Sequence, residues 1–155
     1  MNRTVELTTM CCLKNKNGEI LMIDRVNNWK GLAFPGGHLE CNESITDCVI
    51  REIKEETNLV INTLNFKGMT YFINKQTGSQ HIIFNYFSDN YSGEFISTNR
   101  EGELRWIALQ NLDFHELAEG MELRLDLFLK SGITEMYVEW DEENGYTKVQ
   151  KTKIA

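Results

Sequence analysis

Between Gly37 and Leu59 four of the five glutamates stand with an arginine at telling offsets: Glu43, then Arg51-Glu52, then Glu55-Glu56. An α-helix repeats every 3.6 residues, so positions three and four apart share a face. Glu52, Glu55 and Glu56 therefore project from one side. Like charges at this spacing cost a helix roughly a few tenths of a kcal/mol per pair, so a chain that retains three of them has a use for them. Magnesium supplies one, because it prefers oxygen ligands and is held by one or two carboxylates together with substrate phosphates. The cluster predicts a divalent-metal site on a helix and a phosphate-bearing ligand.

The same stretch sets its own helix ends. Ser44, with Asp47 three residues on, matches an N-cap with an acidic partner, and Ile45, Val49 and Ile53 recur as a buried edge. The pattern predicts a helix from Ser44 to Thr57, closed at Asn58, since asparagine tolerates the left-handed conformation that ends many helices. Upstream, Val5 to Leu13 and Glu19 to Arg25 read as strands joined by an Asn-Gly turn within Lys14–Gly18, a predicted hairpin. Val26 to Gly31 reads as a loop and Leu32 to Phe34 as a short strand, stopped by Pro35-Gly36-Gly37. Leu59 to Asn62 resumes extended structure. Leu64–Asn74 and His81–Asp89 suggest an antiparallel pair around Lys75–Ser79, Glu103–Ala108 a further strand, and Met136–Trp140 with Tyr146–Val149 a closing hairpin. After Leu109 the sequence turns helical, with apolar residues from Met121 to Leu129 dense enough to pack on a sheet and no start signal that fixes where the helix begins. This order implies an α+β fold in one domain spanning 1–155, with helices against a mixed sheet.

Charge narrows the partners. A formal net charge of −7 without a Lys/Arg stripe argues against polymeric nucleic acid and against anionic membrane. A polyphosphate still binds an acidic protein when metal ions bridge the two sets of oxygens. No apolar run reaches the roughly 18 residues of a membrane span, and Met1-Asn2-Arg3-Thr4 leads into strand-like sequence with no secretory signal pattern, which places the chain in the cytoplasm. Cys11, Cys12, Cys41 and Cys48 lack zinc-ligand spacing and read as reduced, semi-buried side chains.

The segment Gly37, Glu43, Arg51-Glu52-Ile53-Lys54-Glu55-Glu56-Thr57-Asn58-Leu59 resembles the Nudix box: glycine, five free positions, Glu, seven free positions, then Arg-Glu-aliphatic-x-Glu-Glu-x-Gly-aliphatic. Asn58 stands where the family has glycine; the turn should survive at a modest cost in stability. Ala33-Phe34-Pro35-Gly36-Gly37 resembles the family's approach to the box, and Glu101 to Trp106 its later acidic segment. The likeness covers most of Val5 to Leu129, and chain size and element order fit the MutT-like branch, which includes 8-oxo-dGTP diphosphatases.

The resemblance implies an α/β/α sandwich and hydrolysis of a nucleoside diphosphate linkage. For a triphosphate this means a (d)NTP such as 8-oxo-dGTP giving the monophosphate and pyrophosphate, removing oxidised purines from the nucleotide pool. It also implies Mg2+, with Mn2+ as a possible substitute, held by Glu52, Glu55, Glu56 and the Gly36 carbonyl. Glu52 is the first candidate for general base, Glu101 the second and Glu103 a weaker substitute. Arg51 would orient the carboxylates and Glu43 support the loop or the outer shell of the metal. Arg25 and His38 would meet substrate phosphates, and Trp29 is the best base-stacking candidate among Trp29, Phe34, Tyr71 and Phe72, the last two pointing to opposite faces if they lie on a strand. His81 and His115 have no partner spacing and read as core or surface residues. A solvated acidic helix face is the ordinary explanation of a charge run; the complete box reverses that preference. ADP-ribose, dinucleoside polyphosphates and nucleotide sugars are alternative substrates, and a non-catalytic nucleotide sensor is the alternative class. Monomer and homodimer are both left open.

Overall fold

A computed structural model describes residues 3–153. Met1, Asn2 and the last two residues of the 1–155 span lie outside the described residues. The α+β expectation holds. The largest sheet has six strands in the order β12-β11-β6-β7-β1-β4, formed by β1 (Val5–Leu13), β4 (Gly36–His38), β6 (Asn65–Asn74), β7 (Gln80–Ser88), β11 (Glu135–Asp141) and β12 (Gly145–Thr152). It is mixed, because β1 runs parallel to β7 and β11 parallel to β6, while the other pairs are antiparallel. A four-stranded sheet combines β2 (Ile20–Arg25), β3 (Gly31–Ala33), β9 (Thr98–Asn99) and β10 (Gly102–Ile107). A small ladder pairs β5 (Val60–Ile61) with β8 (Tyr91–Ser92).

Burial on both faces explains where the helices go. In a strand, neighbours alternate faces. Along β1, Met10 and Cys12 join one core, with α2 (Met121–Leu129), whereas Cys11 and Leu13 join the other, with α1 (Ile45–Thr57). β2 divides the same way, Ile20 and Met22 from Leu21 and Ile23. The sheets thus form the middle layer between two helices. Val49 and Ile53 of α1 are fully buried, each contributing about 1.5–3 kcal/mol of apolar burial.

The predicted hairpin of the first two strands is corrected. Asn15 does build the turn: its Oδ1 accepts from the backbone N–H of Asn17 and Glu19, both at 3.0 Å. A single bridge, Lys14 to Ile20, follows, and then the strands part. Both edges of β1 are taken, by β7 over nine registered residues and by β4, so β2 pairs instead with β10 and β3. The pair β6–β7 and the hairpin β11–β12 form as expected. The second helix starts at Met121 behind Gly120, after two 3-10 turns, Leu109–Asn111 and Phe114–Glu116. Cys11, Cys12 and Cys48 are buried, Cys41 is exposed, and all four are free thiols. Among the described residues no helix is long and apolar enough to cross a membrane.

Candidate active site

Helix α1 begins and ends as its sequence requires. Ser44 Oγ accepts from the Asp47 N–H at 3.0 Å and donates to the Asp47 carboxylate at 2.8 Å. Asn58 closes the helix in the left-handed region (φ 64°, ψ 5°), its N–H bonded to the Lys54 carbonyl. The glycine-to-asparagine departure therefore leaves the turn intact.

Strand β4 brings the double glycine against this helix. A side-chain carbon on Gly37 would collide with the carboxylate of Glu52, and one on Gly36 would strike the Thr9 carbonyl. Only glycine leaves Glu52 room to lie on the backbone. The Gly36 N–H donates to Glu56 Oε2 at 2.8 Å, fixing the next acid of the helix.

Arg51 is the hub. Its Nε and one terminal nitrogen fork onto Glu43 at 3.0 and 2.7 Å, the paired geometry that suits a planar guanidinium. The other terminal nitrogen reaches Glu52 at 2.8 Å and Glu55 at 3.2 Å, and the His38 carbonyl accepts a further bond at 3.1 Å. Glu43 also accepts from the Glu40 N–H at 2.7 Å. The Arg51 hydrogen bonds, helped by that N–H, hold the Glu43 carboxyl down at about 2. Arg51 itself is raised, chiefly by Glu43.

Glu52, Glu55, Glu56 and Glu101 line one cavity of about 90 Å³ with Asn99 and Arg100. Burial raises the Glu56 carboxyl to about 8; the Gly36 N–H and Arg25 oppose this, while the charges of Glu52 and Glu101 add to it. Burial also raises Glu52, against the pull of Arg51. Among the described residues no three acidic, cysteine or histidine side chains already converge to enclose an ion: Glu52 and Glu55 lean on Arg51, and Glu56 on the Gly36 amide. A magnesium ion requires less than such a cage, since it keeps several waters and takes one or two carboxylates. Four carboxylates in one lining offer oxygen ligands that fit a hard cation, and the charges of their neighbours add to the raised proton affinity of Glu52 and Glu56.

The remaining sequence candidates divide. Arg25 acts on Glu56 through its charge. The side chain of His38 points elsewhere, 3.7 Å from Glu6 in an exposed pair. Trp29 is 57% exposed, with φ 58°, and does not line the cavity. Phe34 is core, edge-on to Phe128 at 4.7 Å. Tyr71 and Phe72 do face opposite ways, Tyr71 toward Tyr137 and Phe72 toward His81. Glu103 lies outside the cavity lining. Sequence reading missed Asn99 and Arg100; the available signal was an asparagine two residues before an acid, the spacing of a side chain that caps its own turn.

An arginine-braced acidic helix beside a glycine turn, in a layered α+β frame, defines the class: an acidic site whose carboxylate oxygens suit a divalent cation. The chain belongs to the Nudix family, whose NUDIX domain model matches residues 5–128. It is 31% identical over 129 residues to the uncharacterized Nudix hydrolase YvcI of Bacillus subtilis, covering 81% of this chain and 80% of that protein. It is 34% identical over 99 residues to the ADP-ribose pyrophosphatase of Methanocaldococcus jannaschii, covering 63% and 59%. The MutT protein of Bacillus halodurans shares the fold, with a TM-score of 0.78 at 18% identity over 94% of this chain and 97% of that one. The α/β/α sandwich is thus the Nudix fold, and the protein is a Nudix hydrolase, acting on acid anhydrides. Nudix hydrolases generally use divalent metals such as Mg2+.

Proposed function

We propose that this protein is a Mg2+-dependent nucleoside triphosphate pyrophosphohydrolase of the MutT kind, acting on oxidised purine nucleotides such as 8-oxo-dGTP in the cytoplasm. The observation that carries the reading is the cavity shared by Glu52, Glu55, Glu56 and Glu101. All the box carboxylates are retained, which favours turnover over nucleotide sensing. The likeness to MutT supports the fold.

Glu52, Glu55, Glu56 and the Gly36 carbonyl would hold the metal, which when bound supplies Lewis acidity and a template for the phosphates. Glu55, with its side chain 57% exposed, sits at the rim, whereas Glu52, at 15%, lies deeper. Arg51 keeps Glu52 ionised and aimed, and Glu43 keeps Arg51 in place. Glu52 takes the proton as a water oxygen attacks phosphorus; its burial-raised proton affinity brings it nearer the working pH of a general base. One phosphoanhydride P–O bond breaks, and a triphosphate leaves as monophosphate and pyrophosphate. Glu101 is the second candidate for the base, and Arg25, across from Glu56, would meet phosphate charge.

The test is a panel of 8-oxo-dGTP, dGTP and ADP-ribose with Mg2+ in oxygen-18 water, the products read by mass spectrometry. Pyrophosphate and labelled product from the triphosphates are expected. Preferential cleavage of ADP-ribose would support the second reading, an ADP-ribose pyrophosphatase, which the 34% identity to that archaeal protein favours. Binding without turnover of any member would leave a sensor. Glu55→Gln and Glu56→Gln should each lower turnover by orders of magnitude while the fold persists, because an amide is a poorer ligand for a hard cation.

A further inference from the structure

The segment Glu94–Glu101 is laced to the end of helix α1. The Asn58 side chain donates to the Glu94 carbonyl at 2.8 Å, the Ile96 N–H to the Thr57 carbonyl at 3.0 Å, and the Asn99 side chain to the Glu56 carbonyl at 2.7 Å. The last carbonyls of a helix have no partner within it, and this strap answers two of them. Asn99 does more, since an amide both donates and accepts. While its nitrogen holds Glu56, its oxygen accepts from the N–H of Glu101 at 2.7 Å and of Gly102 at 3.2 Å. One planar group therefore spans from the backbone of a cavity glutamate on the helix to the backbone of the cavity glutamate on the strap.

Asn58 secures the other end. Glycine at this position would keep the left-handed turn but has no side chain to reach Glu94. Asparagine has one, and its second atom is also occupied, Oδ1 accepting from Lys54 Nζ at 2.7 Å. The single departure from the box pattern thus coincides with a lateral tie that the pattern's own residue cannot make.

We infer that Asn58 and Asn99 form a two-amide clasp that holds Glu101 over the glutamate cavity, making both positioning residues for the reaction proposed above, on which this assignment rests. Asn58 lies outside the cavity lining, and Asn99, which is part of it, acts through its bonds to the backbones of Glu56 and Glu101. The clasp fixes the distance between the acid on the strap and the acids on the helix, and small misplacements of such groups lower rates steeply.

The test uses the full chain and the variants Asn58→Gly, Asn99→Ala and Asn99→Asp. Amide hydrogen exchange, read by NMR without substrate, reports the clasp directly. Exchange at Glu101 and Gly102 should accelerate about tenfold or more in Asn99→Ala and less in Asn58→Gly, and stay slow in Asn99→Asp, which keeps the acceptor. With the best substrate of the panel, Asn99→Ala and Asn58→Gly should lower kcat about tenfold or more with KM within about threefold. Glycine is at ease at φ 64°, so a merely structural role for Asn58 would leave kcat unchanged. Unaltered exchange in both variants overturns the clasp, whether or not the protein turns anything over. Faster exchange with kcat intact overturns the positioning role. Failure of the wild type to hydrolyse any panel member strikes down the proposed reaction and the positioning role with it, while exchange still judges the clasp.

Discussion

Glu56 is where burial and charge oppose each other most strongly. Its carboxyl rises to about 8 in the folded protein from an ordinary value of 4.5. The folded state therefore binds the proton more tightly than the unfolded chain does. Its stabilising contribution is complete below about pH 4.5 and is lost as pH climbs through about 8. Metal-free protein in EDTA should melt at progressively lower temperature from pH 5 to pH 9, and Glu56→Gln should flatten that slope, because an amide has no proton to lose there. An undiminished slope in the variant would assign the effect to other groups. Mg2+ should recover stability at the alkaline end, since a bound cation favours the ionised form. Gly37 is the neighbouring constraint. Gly37→Ala places a methyl where the Glu52 carboxylate lies, so turnover should fall by about tenfold or more; native circular dichroism alongside lost activity would locate the damage in the site.

At the scale of elements, α1 and α2 differ in how much of their character is local. α1 carries its own start signal, and Ser44→Ala removes the cap that meets the Asp47 N–H. That change should cost about 1 kcal/mol in denaturant unfolding. α2 has no side-chain cap at its start, and Gly120 precedes it in a left-handed conformation. It also buries an arginine. Arg124 is only 5% exposed, and among the described residues its hydrogen-bond partners are two methionine sulfurs and the Asn85 amide oxygen at 3.0 Å. Its Nε has no hydrogen-bond partner among the described residues, and burial lowers its proton affinity to about 10. A buried charge without a carboxylate is expensive, and an apolar replacement of similar volume is often neutral or stabilising. Arg124→Met should leave the melting temperature unchanged or raise it. A marked loss of stability would show that the Asn85 contact outweighs the desolvation cost.

At the scale of the whole molecule, the middle layer is two sheets, and β1 of one and β2 of the other each divide their side chains between two cores. The turn at Asn15 would serve a hairpin, yet β1 already has a strand on each side. Which edge a strand takes is a competition among all strands of the chain, and no local pattern reports its outcome. The same holds for the site. Glu52, Glu55 and Glu56 were legible as one face because helix geometry is a function of spacing alone, and Gly37 and Arg51 because they lie within a helix length of them. Glu101 was legible only by resemblance, and Asn99 and Arg100 not at all, since they reach the cavity through a fold contact across more than forty residues. Trp29 and His38 illustrate the reverse: near in sequence, they point away.

The sequence by itself determined helix α1, its caps and the acidic face it presents, because hydrogen bonds and side-chain directions within a helix depend on residues a few positions apart. Tertiary structure alone decided the partners of β1 and β2, the burial of Arg124 and the amide bridge from Glu56 to Glu101. Those depend on which edges and carbonyls remain unfilled once the whole chain has closed on itself.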